Sequence, residues 1–333
     1  MEERNYLFDN IKAFLIFSTA FAHFLKQMPG FDGNTVAGYI YIAVFSYIMQ
    51  GFFLVSGFFS RNLDKCRQTA VKNFLVPYVL FILVTNWVFI AIRGYGRGDF
   101  IIPSFALWFL FAMFVYKFAL KTLVKIPYVL PLSAVLYLVA GMLPLNDAWT
   151  SSRICCFLMF FLAGYKLEWK HFKAVRKVPK VYIFILLGVL VLFSICVGHF
   201  GLFDEGMLYL KKPYAKYGFG FAEGMFWRLV IALAFAGWMI VFISLMPEKK
   251  TFMSDIGRKT ITVYLLHIWI RYMFMYTGLI GSGGIDSYII ALFAAIACTW
   301  LFSRNPVFKA YNWVIDKIYW PIDFAWKKLR ELS

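Results

Sequence analysis

The chain has 333 residues, 62% of them hydrophobic and 21% aromatic, with a mean hydropathy of +0.71. This composition excludes an ordinary water-soluble domain and predicts that most of the chain lies in a lipid bilayer. The formal net charge of +17 would suggest a nucleic-acid partner in a soluble protein. Here the basic residues cluster in short segments between apolar runs of about 20 residues, so we expect the bilayer as a partner and no nucleic acid.

Ten apolar windows, each bounded by charges, prolines or glycines, predict ten membrane-spanning helices. They lie near residues 6–25, 36–60, 73–92, 101–119, 126–145, 153–167, 180–200, 225–246, 259–280 and 285–303. With the N-terminus inside, 24 lysines and arginines fall on the cytoplasmic side and seven on the outer side. Because positive charge favours the cytoplasmic side, we predict a multi-pass protein of the plasma (inner) membrane with both termini in the cytoplasm.

The predicted fold class is therefore an all-α polytopic membrane protein of about ten transmembrane helices, with a transmembrane domain over residues 1–305. Residues 306–333 mix aromatic and basic side chains, among them Trp313, Lys317 and Trp320. Such a segment is typical of an amphipathic helix that lies along the cytoplasmic membrane interface as an anchor. The five cysteines form no CxxC pair, so we expect no metal site and no disulfide framework.

The first predicted span carries polar residues on one stripe. Asp9, Lys12, Thr19 and His23 are spaced by 3, 7 and 4 positions, which places them on one helix face. Ionisable groups inside a span cost about 2.5–3.5 kcal/mol each, so they face a cavity or a partner. We favour a functional site. The alternative is an ion pair between Asp9 and Lys12 at the headgroups with a separate, structural histidine above it.

The two ends of this stripe constrain the ligand. Lys12 and His23 are 11 positions apart in sequence, which is about 16 Å along a helix axis, so their side chains cannot touch. A molecule that contacts both must be long and anionic at its inner end. Coenzyme A has that shape.

The ninth predicted span carries a second polar stripe. Thr260, Tyr264, His267 and Arg271 recur at spacings of 4, 3 and 4, which places His267 near the middle of the membrane. Catalysis and a structural hydrogen bond to another helix both remain open for this histidine, because polar groups in lipid need partners. The outer loop near residues 201–224 combines aromatic residues with carboxylates, which suits a sugar as well as an interfacial aromatic belt.

Six segments form an ordered set of motifs along the chain. They are RNYLFDNIKAFLIFSTAFAH at 4–23, QGFFLVSGFFS at 50–60, KNFLVPY at 72–78, ALWFL at 106–110, RICCFLMFFLAGYKL at 153–167 and TITVYLLHIWI at 260–270. This set resembles the integral-membrane acyltransferase type 3 family, and within it the fucose 4-O-acetylase-like branch. At two places the basic residues of this chain differ from those usual in the family. Lys12 stands where arginine is frequent, and Arg67 and Lys72 stand for two arginines three positions apart. Lysine keeps the charge but loses a bidentate grip on phosphate.

The resemblance implies that residues 1–305 form a transmembrane acyltransferase domain. It implies an O-acetyltransferase that moves an acetyl group from cytoplasmic acetyl-CoA, the acyl donor, to a hydroxyl of a cell-surface carbohydrate or glycolipid. The residues expected to act in catalysis are His23, His267, Asp9, Trp108, Arg153 and Tyr264. The residues expected to bind coenzyme A are Lys12, Arg67 and Lys72.

Within this set His23 is the predicted general base, because an imidazole titrates near neutral pH. A covalent acetyl-histidine is the alternative role for it. Trp108, Arg153, Tyr264 and His267 are alternative donors to the oxyanion.

Two other classes of function also remain open. One is an exporter or flippase for a glycan or lipid, since basic stripes and aromatic cavities also suit anionic cargo. The other is a non-catalytic scaffold of a polysaccharide assembly complex. A transporter would leave acetyl-CoA intact, and a scaffold would tolerate alanine at its polar membrane positions.

Overall fold

The computed structural model describes residues 5–96, 100–103, 106–145 and 148–331, and every regular element in those ranges is helical. The α-helices in chain order are α1 Leu7–Leu25, α2 Val36–Phe45, α3 Ile48–Phe58, α4 Leu63–Ala70, α5 Val76–Arg93, α6 Trp108–Leu123, α7 Val129–Val139, α8 Ser151–Lys166, α9 Trp169–Arg176, α10 Lys180–Phe200, α11 Phe221–Leu245, α12 Phe252–Gly257, α13 Thr260–Thr277, α14 Ile285–Phe302 and α15 Asn305–Glu331. A π-helical turn, Val71–Leu75, joins α4 to α5, and 3₁₀ helices cover Ala148–Thr150, Glu205–Tyr209 and Tyr214–Tyr217. Arg4 and Arg97, which the charge distribution includes, lie outside the described residues.

Six helical segments in the described ranges are long and apolar enough to cross a membrane, which makes the chain a membrane protein. They are Val36–Phe58, Leu63–Arg93, Ala148–Lys166, Lys180–Phe200, Phe221–Leu245 and Ile285–Phe302. The other four predicted spans contain α1, α6, α7 and α13. The polar stripes make α1 and α13 less apolar, and the 11 residues of α7 rise only about 16 Å against a hydrocarbon core of about 30 Å. The count of ten spans therefore stays a prediction.

α1 lies inside the helical bundle and packs against α2, α3, α12, α13 and α14. Asp9, Thr19 and His23 of its polar stripe are all buried. Helices at the periphery do the opposite, because α5 and α10 turn large apolar side chains such as Trp87 and Tyr182 outward. The stripe of α1 thus faces protein, as the cost of a charge in lipid requires.

The backbones of α3 and α8 touch at two glycines. A Cβ atom on Gly57 would collide with the carbonyl oxygen of Phe161, and one on Gly164 would collide with that of Leu54. Only glycine permits this approach, which gives a physical reason for a glycine in each of the motifs at 50–60 and 153–167. The contact fixes α8, and with it Arg153, relative to α3.

We call the end of the bundle that holds the start of α1, α12 and α15 the inner end, and the end that holds the 202–220 loop the outer end. α15 begins at Asn305, so the predicted domain boundary falls at its first residue. One face of α15 packs on the bundle through buried Ile315, while Trp313, Trp320 and Phe324 are exposed. The predicted position of this helix at a membrane interface stays a prediction.

Candidate active site

Two histidines from distant parts of the chain meet inside the bundle. α1 carries His23 and α13 carries His267, and both side chains are buried. Nδ1 of His23 lies 2.9 Å from Nε2 of His267, and the two ring planes are within 7° of parallel. Nδ1 of His267 lies 2.9 Å from the carbonyl oxygen of Val263, one turn earlier in α13. The two rings and this carbonyl therefore form one hydrogen-bonded chain.

The carbonyl at the end of this chain determines where the protons lie. A carbonyl oxygen only accepts, so His267 donates from Nδ1 and, when neutral, accepts at Nε2. His23 must then donate from Nδ1 to His267. Neutral His23 consequently carries its basic lone pair on Nε2, the atom that can take a proton from a bound molecule.

His23 lines a cavity of about 320 Å³ near the outer end, here called the outer cavity. Trp108 and Arg153 line it too, and the guanidinium carbon of Arg153 lies 4.6 Å from the centroid of the Trp108 ring. Tyr41 and Tyr209, also in the lining, have their hydroxyl oxygens 2.7 Å apart. Burial raises the pKa of Tyr209 to about 12, which keeps its hydroxyl neutral. A cavity of this size whose lining mixes apolar and aromatic side chains with polar groups suits a small ligand.

A second cavity, of about 530 Å³, lies near the inner end and is here called the inner cavity. Lys12, Lys72 and Arg258 line it. Nζ of Lys12 is 3.0 Å from the carboxylate of Asp9, and Nζ of Lys72 is 2.7 Å from that of Asp316 in α15. Among the described lining residues three are basic and only Asp316 is acidic, a charge distribution that suits an anion.

Tyr264 lines both cavities and is therefore part of the wall between them. Its hydroxyl donates to the carbonyl oxygen of Ala106, just before α6. His267 follows it by less than one turn, with the two ring centroids 6.1 Å apart. The histidine pair thus lies beside the wall that separates the two cavities.

The structure divides most of the predicted site residues between these cavities. The outer cavity takes His23, Trp108 and Arg153, the inner cavity takes Lys12 and Lys72, and Tyr264 belongs to both. The two stripes read from the sequence therefore meet in one region of the bundle.

Three predicted residues lie behind or beside the cavities. His267 sits behind His23, and Asp9 pairs with Lys12, the contact that the structural alternative for the stripe also required. Arg67 lies on the ring of Phe118, 4.7 Å from its centroid, and is not among the described residues that line the inner cavity. That Arg67 and Lys72 bind coenzyme A together stays a prediction.

Sequence reasoning did not assign one whole wall of the inner cavity. Five residues of α15 form it: Phe308, Tyr311, Asn312, Ile315 and Asp316. Their spacing marks one helix face, which the sequence analysis interpreted only as the face of an anchor. In the outer cavity Lys26, Tyr209, Lys211 and Arg271 were likewise not assigned. For Arg271 the signal was present, since it ends the polar stripe of α13.

No group of three or more histidine, cysteine, aspartate or glutamate side chains is placed to hold a metal ion within the described ranges. The chain belongs to the acyltransferase type 3 family, because the family described as an acyltransferase domain matches residues 5–304. No curated protein and no solved structure matches the chain. The prediction of the family is thus confirmed, and the chain is a membrane acyltransferase. Membership of this family favours an enzyme over an exporter or a scaffold. The family match ends one residue before α15 begins.

Proposed function

We propose that this acyltransferase transfers an acetyl group from cytoplasmic acetyl-CoA to a hydroxyl of a cell-surface carbohydrate or glycolipid, as in the fucose 4-O-acetylase-like branch that its motifs resemble. The observation that carries the proposal is that a basic inner cavity and a histidine-bearing outer cavity share Tyr264 in their walls. A donor with an anionic nucleotide at one end and a thioester at the other spans the roughly 16 Å from Lys12 to His23.

The orientation follows from the charge distribution. We place the inner end, with both termini, in the cytoplasm of a cell whose plasma (inner) membrane holds the chain, because 24 of the 34 lysines and arginines then lie on that side. The coenzyme A nucleotide then enters from the cytoplasm and the acceptor from outside.

His23 acts as the general base in this proposal. Its Nε2 takes the proton of the acceptor hydroxyl while the hydroxyl oxygen attacks the thioester carbon. The tetrahedral oxyanion then collapses, the carbon–sulfur bond breaks, and the coenzyme A thiolate takes the proton back from His23. His267 orients the ring and stabilises the imidazolium that forms, the role that a hydrogen-bond acceptor at Nδ1 has in other histidine bases.

Arg153 is the donor that we propose for the oxyanion. It lines the same cavity as His23, and its stacking on Trp108 holds the guanidinium in place. The Tyr264 hydroxyl already donates to the Ala106 carbonyl, so it would have to leave that bond to serve. At the inner end Lys12, Lys72 and Arg258 are the proposed phosphate contacts.

The test separates the two ends of the donor. Lys12→Ala should raise the KM for acetyl-CoA about 10- to 150-fold, the equivalent of about 1.5–3 kcal/mol for a charge-assisted contact, and high donor concentration should restore the rate. His23→Ala should lower turnover about 10²–10⁴-fold at every donor concentration. Lys125→Ala, an exposed lysine before α7, is the matched control and should change neither. Acetyl transfer by purified, monodisperse His23→Ala protein at the wild-type rate would remove the proposal.

A further inference from the structure

The inner cavity has two walls of different chemistry. One wall holds the basic side chains to which the proposed function assigns the phosphates of the donor. The other is the face of α15, whose five described lining residues include two aromatic rings, Phe308 and Tyr311, and one amide, Asn312. These side chains border a cavity of about 530 Å³ instead of filling a packed core. An aromatic surface suits a flat, uncharged part of a ligand better than it suits a phosphate.

The α15 wall lies close to one of the proposed phosphate contacts. Nζ of Lys72 is 2.7 Å from the carboxylate of Asp316 in α15. Asn312 precedes Asp316 by four residues, so it lies about 6 Å away along the helix axis and on the same helix face. The ribose of a nucleotide separates the phosphate from the base by a distance of this order. A nucleotide whose phosphate lies at Lys72 can therefore set its base beside Asn312.

Tyr311 and Asn312 match the two ways in which proteins bind a nucleobase. Aromatic rings stack on the faces of bases, and an asparagine amide forms two hydrogen bonds with the N6 amino group and N7 of adenine. The Tyr311 ring is half-buried and packs against the core of the bundle, which holds it in place. Asn312, also half-buried, is its neighbour in α15. Adenine is the base of coenzyme A, so both kinds of contact serve the same donor.

We propose that α15 binds the adenine base of the coenzyme A donor, with the Tyr311 ring stacked on the base and the Asn312 amide hydrogen-bonded to its N6 and N7 edge. The proposal rests on the proposed function and adds the base-binding part of its donor site. α15 begins at Asn305, beyond the matched residues 5–304, so the base is recognised by an element outside the family match.

The experiment measures ligand binding to the purified, full-length protein by isothermal titration calorimetry, which requires neither acetyl transfer nor an acceptor. Three ligands are compared. The first is coenzyme A. The second is phosphopantetheine, which lacks the base and the ribose. The third is etheno-coenzyme A, in which an added ring removes the N6 donor and keeps the stacking face of the base.

Tyr311→Leu should weaken the binding of coenzyme A about 5- to 150-fold, because a base stacked on an aromatic side chain loses about that much affinity when the ring is removed. Tyr311→Leu should leave the binding of phosphopantetheine unchanged, and Tyr311→Phe, which keeps the ring, should bind coenzyme A as wild type does. The matched control is Trp313→Leu, which removes an exposed aromatic ring of α15 outside the described cavity lining and should change no affinity.

Etheno-coenzyme A tests the hydrogen bonds of Asn312. Wild-type protein should bind it about 5- to 150-fold more weakly than coenzyme A, the cost of losing a bidentate pair with adenine. Asn312→Leu should bind the two ligands equally. This comparison needs no Tyr311 variant, so it decides the question even if Tyr311→Leu does not fold.

Equal affinities of wild-type protein for coenzyme A and etheno-coenzyme A would overturn the role of Asn312. A Tyr311→Leu protein that binds coenzyme A as tightly as wild type, or that loses phosphopantetheine to the same extent, would overturn the stacking role of Tyr311. Either result leaves the proposed function intact as long as wild-type protein binds coenzyme A. If wild-type protein binds no coenzyme A, the proposed function itself fails, and base binding by α15 fails with it.

Discussion

The hydrogen bond between the two histidines predicts how the enzyme responds to His267→Leu. The substitution removes the nitrogen that accepts from Nδ1 of His23 and leaves that buried N–H without its partner. Neutral His23 can then carry its proton on either nitrogen, and its ring loses the contact that orients it. The tautomer of His23 with its proton on Nδ1, which is the active one, is then only one of several combinations of proton position and ring orientation.

The magnitude follows from the geometry. A buried donor that loses its acceptor costs about 1–3 kcal/mol, and a loss of that size in transition-state stabilisation corresponds to a turnover about 5- to 150-fold lower. The KM for acetyl-CoA should stay the same, because His267 does not line the inner cavity as described. His267→Gln should keep part of the activity, since its amide oxygen can accept from Nδ1 of His23.

Steady-state acetyl transfer by purified protein, measured over a range of acetyl-CoA concentrations, gives both constants. His199→Leu, an exposed histidine at the outer end of α10, is the control and should behave as wild type. Thermal unfolding and monodispersity of each variant show whether it is folded. Wild-type turnover in folded His267→Leu, or a change confined to the KM for acetyl-CoA, would refute the assigned role of His267.

Two further predictions concern the inner cavity and the helix crossing. Asp316→Asn releases Lys72 from its partly exposed ion pair and should lower the KM for acetyl-CoA by up to about fivefold. Asp64→Asn is the control: it breaks an ion pair with a lysine of α6 and should leave this KM unchanged. An unchanged KM in Asp316→Asn would show that Asp316 does not compete with the donor. Gly57→Ala should abolish the yield of monodisperse protein, because the new methyl group collides with backbone that cannot move aside. Gly188→Ala, whose methyl group meets open space in α10, is the control and should fold normally. A normal yield of both variants would contradict the close crossing of α3 and α8.

The two polar stripes were predictable because periodicity alone places residues on a helix face. Asp9, Lys12 and His23 needed no knowledge of the fold, and the distance between Lys12 and His23 followed from helix rise. The contact between His23 and His267 was not predictable, since helical periodicity does not say which helices are neighbours. Their separation of 244 positions leaves no local signal.

The inner cavity shows a second limit of sequence reasoning. The apolar positions of α15 predicted a helix face but not its contact, because a face that packs on lipid headgroups and a face that packs on protein have the same pattern. Asp316, a carboxylate among aromatic residues, was only a weak sign that this helix borders a cavity. Similarly, α7 had the composition of a span, and only the structure shows that its regular helix has 11 residues.

The joining of α1 to α13 has a consequence for how the protein is made. Ribosomes add about 5–20 residues per second, so the codon for His267 is translated roughly 12–50 s after that for His23. During this interval the first helix lacks its partner, and wherever its polar stripe would meet lipid it must be shielded by water, by the insertion machinery or by the helices made in between. A nascent chain that stops before residue 260 contains the whole first motif and lacks the histidine pair. The chain can therefore form the histidine pair only late in its synthesis. Its assembly can be observed with two separately translated pieces, one that ends after α11 and one that starts before α12.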